Sequence, residues 1–253
     1  MNHFIEVKVA DHVGKVVLNR PEAMNAWTSD MIQEFIAQMN RLDHRDDIHV
    51  IVVTGTGKAF CSGGDIKAMK DQSGMFAGDQ NELRRHYEFG IQQIPKMMEQ
   101  LQTPVVAMIN GHAIGAGLDL ALMCDLRICA REVKLGETFV KLGLVPGDGG
   151  TYFLIRTVGF AKACEMALTG KTYSADEALS FGLVHQVVDS DKLEATVEKV
   201  CHDIKSNAPI AVSMTKKALR VSYREHLYSV LDLLSSYQGI TQRTQEHFDR
   251  LKS

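Results

Sequence analysis

Hydrophobic and polar residues alternate at the start of the chain, and the apolar residues that follow recur at the longer spacing of a helix. Residues 4–20, FIEVKVADHVGKVVLNR, alternate in two short stretches, which predicts two β-strands joined as a hairpin near residues 11–15. The next apolar residues recur at helical spacing: Ile32, Phe35, Ile36 and Met39. This spacing predicts a helix over residues 31–42, with Ser29 as its N-cap.

Three later segments are apolar almost without interruption. They are HVIVVTG at 49–55, PVVAMING at 104–111 and LRICA at 126–130. Continuous apolar strands that alternate with helices are typical of a parallel sheet buried on both faces. The sequence therefore predicts an α/β fold. The polar segment 71–80, which contains two glycines, is predicted to be a mobile loop.

The last quarter of the chain changes to a helical pattern. ADEALSFGLVHQVV, residues 175–188, provides one more helix and strand, and from about residue 191 only helices are predicted. We place a boundary near residue 200, with a core over residues 1–199 and a helical region over 200–253. A helical extension of this kind has little core of its own, so we expect it to pack against a neighbouring subunit.

The composition argues against several classes of function. The chain is 45% hydrophobic with a net charge of −3, which provides no general attraction to nucleic acid or to an anionic membrane. No apolar run approaches the ~20 residues of a membrane-spanning helix, and the N-terminal residues show no secretory signal pattern. The five cysteines contain no CxxC pair, so neither a zinc site nor a disulfide framework is predicted. We expect a cytoplasmic protein that binds neither nucleic acid nor membranes.

Two glycine-rich segments, FCSGGD at 60–65 and GHAIGAGLD at 111–119, each lead from a predicted strand into a predicted helix. Small residues let a ligand approach the backbone closely, and a helix N-terminus leaves N–H groups unpaired. Two such N–H groups directed at one carbonyl oxygen would form an oxyanion hole. Ordinary structural turns explain these glycines equally well. Neither segment contains the GK[ST] of a phosphate-binding loop or a GxGxxG pattern.

Four motifs together resemble the enoyl-CoA hydratase/isomerase family, the crotonases. They are FCSGGDIKAM, INGHAIGAGLDLALMCDLRIC, KLGLVPGDGGTYFLIRTVG and ADEALSFGLVHQVV, in this order and spacing, and the resemblance covers about residues 4–220. It implies a crotonase-like spiral of repeated ββα units with a helical C-terminal trimerisation region. It also implies an acyl-CoA substrate, no cofactor other than the coenzyme A of that thioester, and a homo-oligomer that is a trimer or a dimer of trimers.

The resemblance also implies roles for residues of the two glycine-rich segments. By their position in the motifs, the N–H groups of Gly64 and Ala116 form the oxyanion hole, which holds the thioester oxygen and stabilises an enolate. The loop around Ile66 and Lys67 follows the adenine and pantetheine of coenzyme A. The complete set of predicted substrate-binding residues is Ser62, Gly63, Asp65, Ile66, Lys67 and Phe139.

The catalytic carboxylates are where the sequence departs from the hydratases of the family, which place two glutamates across the substrate. The first glutamate position holds Asp119, and the second holds Phe139, which cannot accept a proton. Glu137 is expected to point away from the site. Asp148 lies one residue beyond the position at which several relatives, among them double-bond isomerases, carry a working aspartate. The resemblance therefore favours isomerisation of an enoyl-CoA by Asp119, with Asp148 as a candidate partner.

Other interpretations of these carboxylates stay open at the level of sequence. Asp119 in the first turn of a helix also complements the helix dipole, and Asp148 is also typical of a turn. If the two aspartates hold a water molecule together, the enzyme is a hydratase. A catalytically weak acyl-CoA binding protein, and a hydrolase with Asp148 as nucleophile or base, are further alternatives.

Three other residues near the motifs have simpler explanations. His112 is expected to be a hydrogen-bonded structural histidine, and His86 to be exposed on a helix. Cys61 is expected to be a small buried residue rather than a reactive thiolate. The sequence contains no cluster of metal ligands, so no metal site is predicted.

Overall fold

The chain begins with the antiparallel hairpin that the alternating pattern predicts. The computed structural model describes residues 4–252, and within them β1 (Ile5–Ala10) pairs with β2 (Val13–Leu18). Asp11 and His12 form the turn, with φ angles of 48° and 64°. Two consecutive residues in this left-handed region match the right-handed twist of the strands on either side.

The first long helix, α1 (Ser29–Asp43), begins two residues earlier than its apolar pattern indicates. Its N-cap is Thr28, which has an extended backbone and whose side chain accepts a hydrogen bond of 3.2 Å from the N–H of Met31. The predicted cap, Ser29, is therefore wrong by one residue, because both positions hold a hydroxyl and only the backbone geometry separates them. The buried face of the helix includes Phe35 and Met39, as predicted.

The Thr28 cap leads to a first prediction. Thr28→Ala should lower the free energy of unfolding by about 1 kcal/mol, because the N–H of Met31 loses its acceptor. Ser29→Ala, one residue further along on the exposed side of the same helix, is the matched control and should have little effect. Urea denaturation monitored by circular dichroism measures both. A larger loss in Ser29→Ala than in Thr28→Ala would contradict the assigned cap.

Six strands form the larger sheet, in the order β1-β2-β3-β5-β7-β10. All neighbours after the β1–β2 hairpin are parallel. The additional strands are β3 (Val50–Gly55), β5 (Val105–Ile109), β7 (Leu126–Ala130) and β10 (Gln186–Val188). Every residue of β3 and β5 is buried, which confirms the predicted parallel core covered on both faces.

Four short strands form the smaller sheet, in the order β4-β6-β8-β9. They are β4 (Ala59–Cys61), β6 (His112–Ile114), β8 (Lys134–Gly136) and β9 (Thr172–Ser174). The first three are parallel, and β9 runs antiparallel to β8. The chain visits the two sheets in turn, as β3–β4, β5–β6 and β7–β8, and a helical segment follows each pair. This is the predicted repeat of ββα units.

Helices fill the connections between these strands. They are α2 (Ile66–Lys70), α3 (Gln80–His86), α4 (Gln93–Gln100), α5 (Ala116–Met123), α6 (Gly150–Thr169) and α7 (Ala175–Ser180). A single π-helical turn, Tyr87–Ile91, joins α3 to α4. The segment 71–80, predicted as a loop, contains one 3₁₀ turn, Gly74–Phe76, and ends as α3 begins.

The C-terminal part is helical, as predicted. It consists of α8 (Leu193–Lys205), α9 (Pro209–Ser222), α10 (Leu227–Thr241) and α11 (Gln245–Arg250). The predicted boundary near residue 200 lies inside α8, which packs on β3, β5 and β7 of the larger sheet. Helix α9 is attached to the core by ion pairs from Lys216 and Arg220 to Asp125, at 2.7 and 3.1 Å. Within residues 4–252, no helix has the length and apolar character to cross a membrane.

Candidate active site

The parallel strands of the smaller sheet bring the two glycine-rich segments together. Cys61 of β4 lies opposite Ala113 of β6, and Ala113 lies opposite Leu135 of β8. The carboxyl ends of parallel strands meet at one edge of a sheet, and ligand sites of α/β folds form at such edges. The segments that follow β4, β6 and β8 therefore start side by side, and Gly63, Gly115 and Glu137 are the residues two positions beyond these aligned residues.

The two turns approach each other so closely that side chains are excluded. A Cβ atom on Gly117 would lie 2.0 Å from the carbonyl oxygen of Cys61, and one on Gly63 would lie 2.8 Å from that of Ile114. Gly63 also has a φ of +88°, which residues with a side chain rarely adopt. These glycines are required by the contact between the two turns, so the turns hold their N–H groups in fixed positions.

Gly64 and Ala116 line one narrow cavity of about 30 Å³. Ala116 is the first residue of α5, so its N–H has no acceptor within the helix. Among the hydrogen bonds of residues 4–252, neither of these two N–H groups acts as a donor. The structure thus brings together the two donors that the sequence predicts as an oxyanion hole, and their role in binding an oxygen stays a prediction.

The rest of the cavity wall is largely apolar, with one ionisable carboxyl group. Phe139 lies in the wall, as predicted, and its ring also packs within 3.5 Å of the place where a Cβ of Gly115 would lie. Asp148 is the one ionisable carboxyl group among the lining residues. The other lining residues are Trp27, Met69, Met75, Phe76, Tyr87, Ile91 and Leu144. A small acyl group in this cavity would therefore meet apolar side chains, two N–H donors and one carboxyl group.

Three acidic side chains are buried together at this wall, and Asp148 is the one of the three that lines the cavity. The exposed fractions of Asp119, Glu137 and Asp148 are 0%, 1% and 4%. Both oxygens of Asp119, both of Glu137 and Oδ1 of Asp148 have no hydrogen-bond donor from the rest of the chain. A proton on Asp119 creates the missing donor, and Asp119 is placed to hydrogen-bond both Glu137 and Asp148. We call these three residues the carboxyl cluster.

The position of Glu137 corrects the prediction that it points away. Residues 137 and 139 follow β8, but the chain leaves the strand after Gly136 and enters a 3₁₀ turn, Phe139–Leu142. Glu137 therefore contacts Asp119 while Phe139 reaches the cavity wall. Asp119 also lies deeper than predicted: it is fully buried, and Asp148 rather than Asp119 borders the cavity.

Burial raises the pKa of each group in the carboxyl cluster, because water no longer solvates the charged form. The pKa of Asp119 lies well above that of an ordinary aspartate, first because of burial and then because of the neighbouring charges of Asp148 and Glu137. Burial raises the pKa of Glu137 from 4.5 to about 7, and it raises that of Asp148, although a hydrogen bond from Asp119 acts in the opposite direction on both. Burial and the neighbouring carboxyl groups therefore favour the protonated form of Asp119.

The remaining predicted substrate-binding residues lie at the start of α2, outside the cavity wall. Asp65 caps this helix by accepting from the N–H of Ala68 and also pairs with Arg20 at 2.8 Å, which gives it a structural task. Ile66 and Lys67 are exposed, and Ser62 is partly exposed. Their predicted contact with coenzyme A is compatible with this exposure and stays a prediction.

The simpler explanations for His112, His86 and Cys61 are confirmed. His112 is exposed, and its Nδ1 accepts a hydrogen bond of 3.0 Å from the N–H of Lys134. His86 is exposed at the end of α3. Cys61 is buried, its thiol donates to the carbonyl of Asn25, and burial raises its pKa to about 12. No group of three or more His, Cys, Asp or Glu residues within 4–252 is arranged to hold a metal ion.

Comparison with known proteins assigns the family. The family model described as enoyl-CoA hydratase/isomerase matches residues 8–250. The chain is 34% identical to the short-chain-enoyl-CoA hydratase of Clostridium acetobutylicum, over 94% of this chain and 89% of that protein. It is 32% identical to the 1,2-epoxyphenylacetyl-CoA isomerase of Escherichia coli, over 98% of this chain and 93% of that protein.

Solved structures agree with this assignment. The crystal structure of the enoyl-CoA hydratase from Bacillus anthracis superimposes with a TM-score of 0.92 at 33% identity, over 99% of this chain and 95% of that chain. The matched ranges include the two glycine-rich turns and the carboxyl cluster. The chain is an enzyme of the enoyl-CoA hydratase/isomerase family.

Proposed function

We propose that this enzyme moves the double bond of an enoyl-CoA, converting a 3-enoyl thioester into the conjugated 2-enoyl thioester. The observation that carries this proposal is the cavity wall, which combines the Gly64 and Ala116 N–H groups with a single carboxyl group, Asp148. Phe139 occupies the position at which the hydratases have a second glutamate. One carboxyl group is sufficient to take a proton from one carbon and return it to another.

The proposed reaction has two proton transfers. The two N–H groups hold the thioester oxygen, and the Asp148 carboxylate takes a proton from Cα. The electron pair of the broken C–H bond moves into the conjugated enolate, whose negative charge on oxygen is stabilised by the two donors. The protonated Asp148 then returns its proton to Cγ, and the double bond forms between Cα and Cβ. No atom is added or lost, and Asp148 ends as it began.

Hydration of a 2-enoyl-CoA is the second candidate function. Its specific support is Glu137, a further buried carboxyl group of the carboxyl cluster, together with relatives that are named hydratases. Water addition requires a base for the water and an acid for Cα. Asp148 and a partner from the cluster would supply this pair if the partner reached the cavity.

Absorbance of the conjugated thioester separates the two reactions. With a 3-enoyl-CoA, isomerisation creates the conjugated product and the absorbance rises. With a 2-enoyl-CoA, hydration destroys the conjugation and the absorbance falls. We expect a rise with the first substrate and a much slower change with the second. A fast fall with the 2-enoyl substrate and no rise with the 3-enoyl substrate would establish hydration instead.

Removing one oxyanion donor tests the binding of the thioester oxygen. Ala116→Pro eliminates the N–H at the first position of α5, where the backbone angle of proline suits a helix. We expect kcat to fall by about 10²-fold, the usual cost of losing one such donor. Ser29→Pro, at the exposed first position of helix α1, is the matched control and should keep the normal rate. An unchanged kcat in Ala116→Pro would argue against an oxygen at this N–H.

We also propose that the protein forms a homo-oligomer, a trimer or a dimer of trimers, through its C-terminal helices. Large apolar side chains on α9, on α10 and at the C-cap of α9 are exposed in the single chain, which supports a covered surface in the assembly. They include Leu219, Tyr223, Leu227, Tyr228 and Leu231. Sedimentation equilibrium measures the mass of the assembly, and a monomer at micromolar concentration would contradict the proposal.

A further inference from the structure

Glu137 is a buried ionisable group that the proposed proton transfers do not use. It is 1% exposed, neither of its carboxylate oxygens receives a hydrogen bond from the rest of the chain, and it contacts Asp119. An isolated charge at such a position is costly, so Glu137 is either neutral or hydrogen-bonded to a partner that carries a proton. In both cases the protonation state of Glu137 depends on that of Asp119.

The groups that face the carboxyl cluster are few. Asp119 comes from α5, Glu137 from the end of β8, and Asp148 from the loop before α6. Tyr87 and Cys61 lie close enough to Asp148 for its charge to raise their pKa values. The pKa values of Glu137 and Asp148 respond to burial, to hydrogen bonds and to other carboxyl groups, and no Lys, Arg or His within residues 4–252 contributes to them.

We propose that Glu137 is a positioning residue, which acts through Asp119 to direct the Asp119 proton toward Asp148. This inference rests on the proposed role of Asp148 in proton transfer. Asp119 has one O–H and two acceptors, Glu137 and Asp148. When Glu137 is protonated it donates to Asp119, and the Asp119 O–H is then left for Asp148 alone. The result is a chain of two hydrogen bonds that ends on the carboxylate at the cavity.

Loss of the Glu137 proton breaks this chain. Ionised Glu137 competes with Asp148 for the single O–H of Asp119, and it adds a second negative charge beside the place where the enolate forms. Both changes oppose the reaction, since the site must accommodate a developing negative charge in surroundings that lack water. Turnover should therefore decline as the pH rises through the pKa of Glu137, which lies at about 7.

The pH dependence of kcat tests this role. In the unmodified enzyme we expect kcat to fall by about tenfold per pH unit above the Glu137 ionisation, as for the loss of one essential proton. Glu137→Gln keeps a donor that does not ionise, so its profile between pH 7 and 9 should be flat. Glu137→Ala has no donor, and its kcat at pH 6 should lie about tenfold below that of Glu137→Gln. Glu198→Gln, on the exposed side of α8, should follow the unmodified profile.

Infrared spectra without substrate provide an independent measurement. The C=O band of a protonated buried carboxyl group should disappear between pH 6 and 8 in the unmodified enzyme, and this change should be absent in Glu137→Gln. Identical pH profiles in the unmodified enzyme and Glu137→Gln, or a carboxyl band that still titrates in Glu137→Gln, would overturn the proposal. If the enzyme hydrates rather than isomerises, the same profiles are measured on hydration, and the infrared result is unaffected. Failure of the proposed isomerase function and failure of the proposed role of Glu137 are therefore distinguishable.

Discussion

Asp148→Asn is expected to reduce kcat for the conversion of a 3-enoyl-CoA by about 10⁴-fold, the upper end of the range for loss of a general base. Asp148 is the one ionisable carboxyl group that borders the cavity lined by Gly64 and Ala116. Asparagine has nearly the same shape but cannot take a proton from Cα. KM should change little, because the two N–H donors and the apolar wall are retained.

The comparison with Asp119 makes this prediction specific. Asp119→Asn should reduce kcat less, by about 10²-fold, because Asp119 is fully buried and acts by hydrogen bonding to Asp148. Asp46→Asn, at an exposed aspartate in the turn after α1, controls for the substitution itself. Steady-state kinetics and the thermal melting temperature are measured for all three variants. If Asp119→Asn proved more damaging than Asp148→Asn, Asp119 would be the group that faces the substrate, as the sequence alone suggests.

The elements that sequence predicted well are those in which one local signal decides the structure. The segment 126–130 is β7 without a residue of error, because a short, largely apolar run has few alternatives when charged residues, here Asp125 and Arg131, flank it. The pairing of Gly64 with Ala116 was also predicted, from motifs whose glycines are required by the contact between two turns. The first feature depends on one short stretch of chain, and the second on two short motifs that the family resemblance relates to each other.

The carboxyl cluster was harder to predict, because it joins three segments far apart in sequence. Glu137 was assigned away from the site on the basis of its distance from Phe139, and that assignment failed at the turn after β8. A usable signal existed: Glu137 directly follows a strand that aligns with the two glycine-rich strands, and parallel strands bring their carboxyl ends together. The relative depth of Asp119 and Asp148 has no such signal, since it depends on how α5 packs against α6.

The stability of the protein should fall as the pH rises from about 4.5 to 7, and Glu137 should be a main cause. Its pKa is 4.5 in an unfolded chain and about 7 in the folded protein, so in this interval the folded state holds a proton that the unfolded state has released. A group whose folded pKa is raised stabilises the protein below its unfolded pKa, and this stability is lost as the pH approaches the folded pKa. One proton over this interval corresponds to about 3 kcal/mol.

Glu137→Gln should remove the contribution of Glu137 to this pH dependence, since glutamine is neutral in both states, and the raised pKa values of Asp119 and Asp148 leave a smaller decline. The free energy of unfolding in urea is measured at pH 5 and pH 8 for both proteins. The change between the two pH values in Glu137→Gln is then compared with the change in the unmodified protein. Groups outside the cluster contribute equally to both proteins and cancel in this difference. Asp65 is an example: its pKa is lowered, so its contribution to stability is lost only as the pH falls through that lowered value. Glu198→Gln should match the unmodified protein. An equal decline in Glu137→Gln and the unmodified protein would mean that Glu137 keeps its charge when buried, and the hydrogen-bond chain to Asp148 would then lack its first proton.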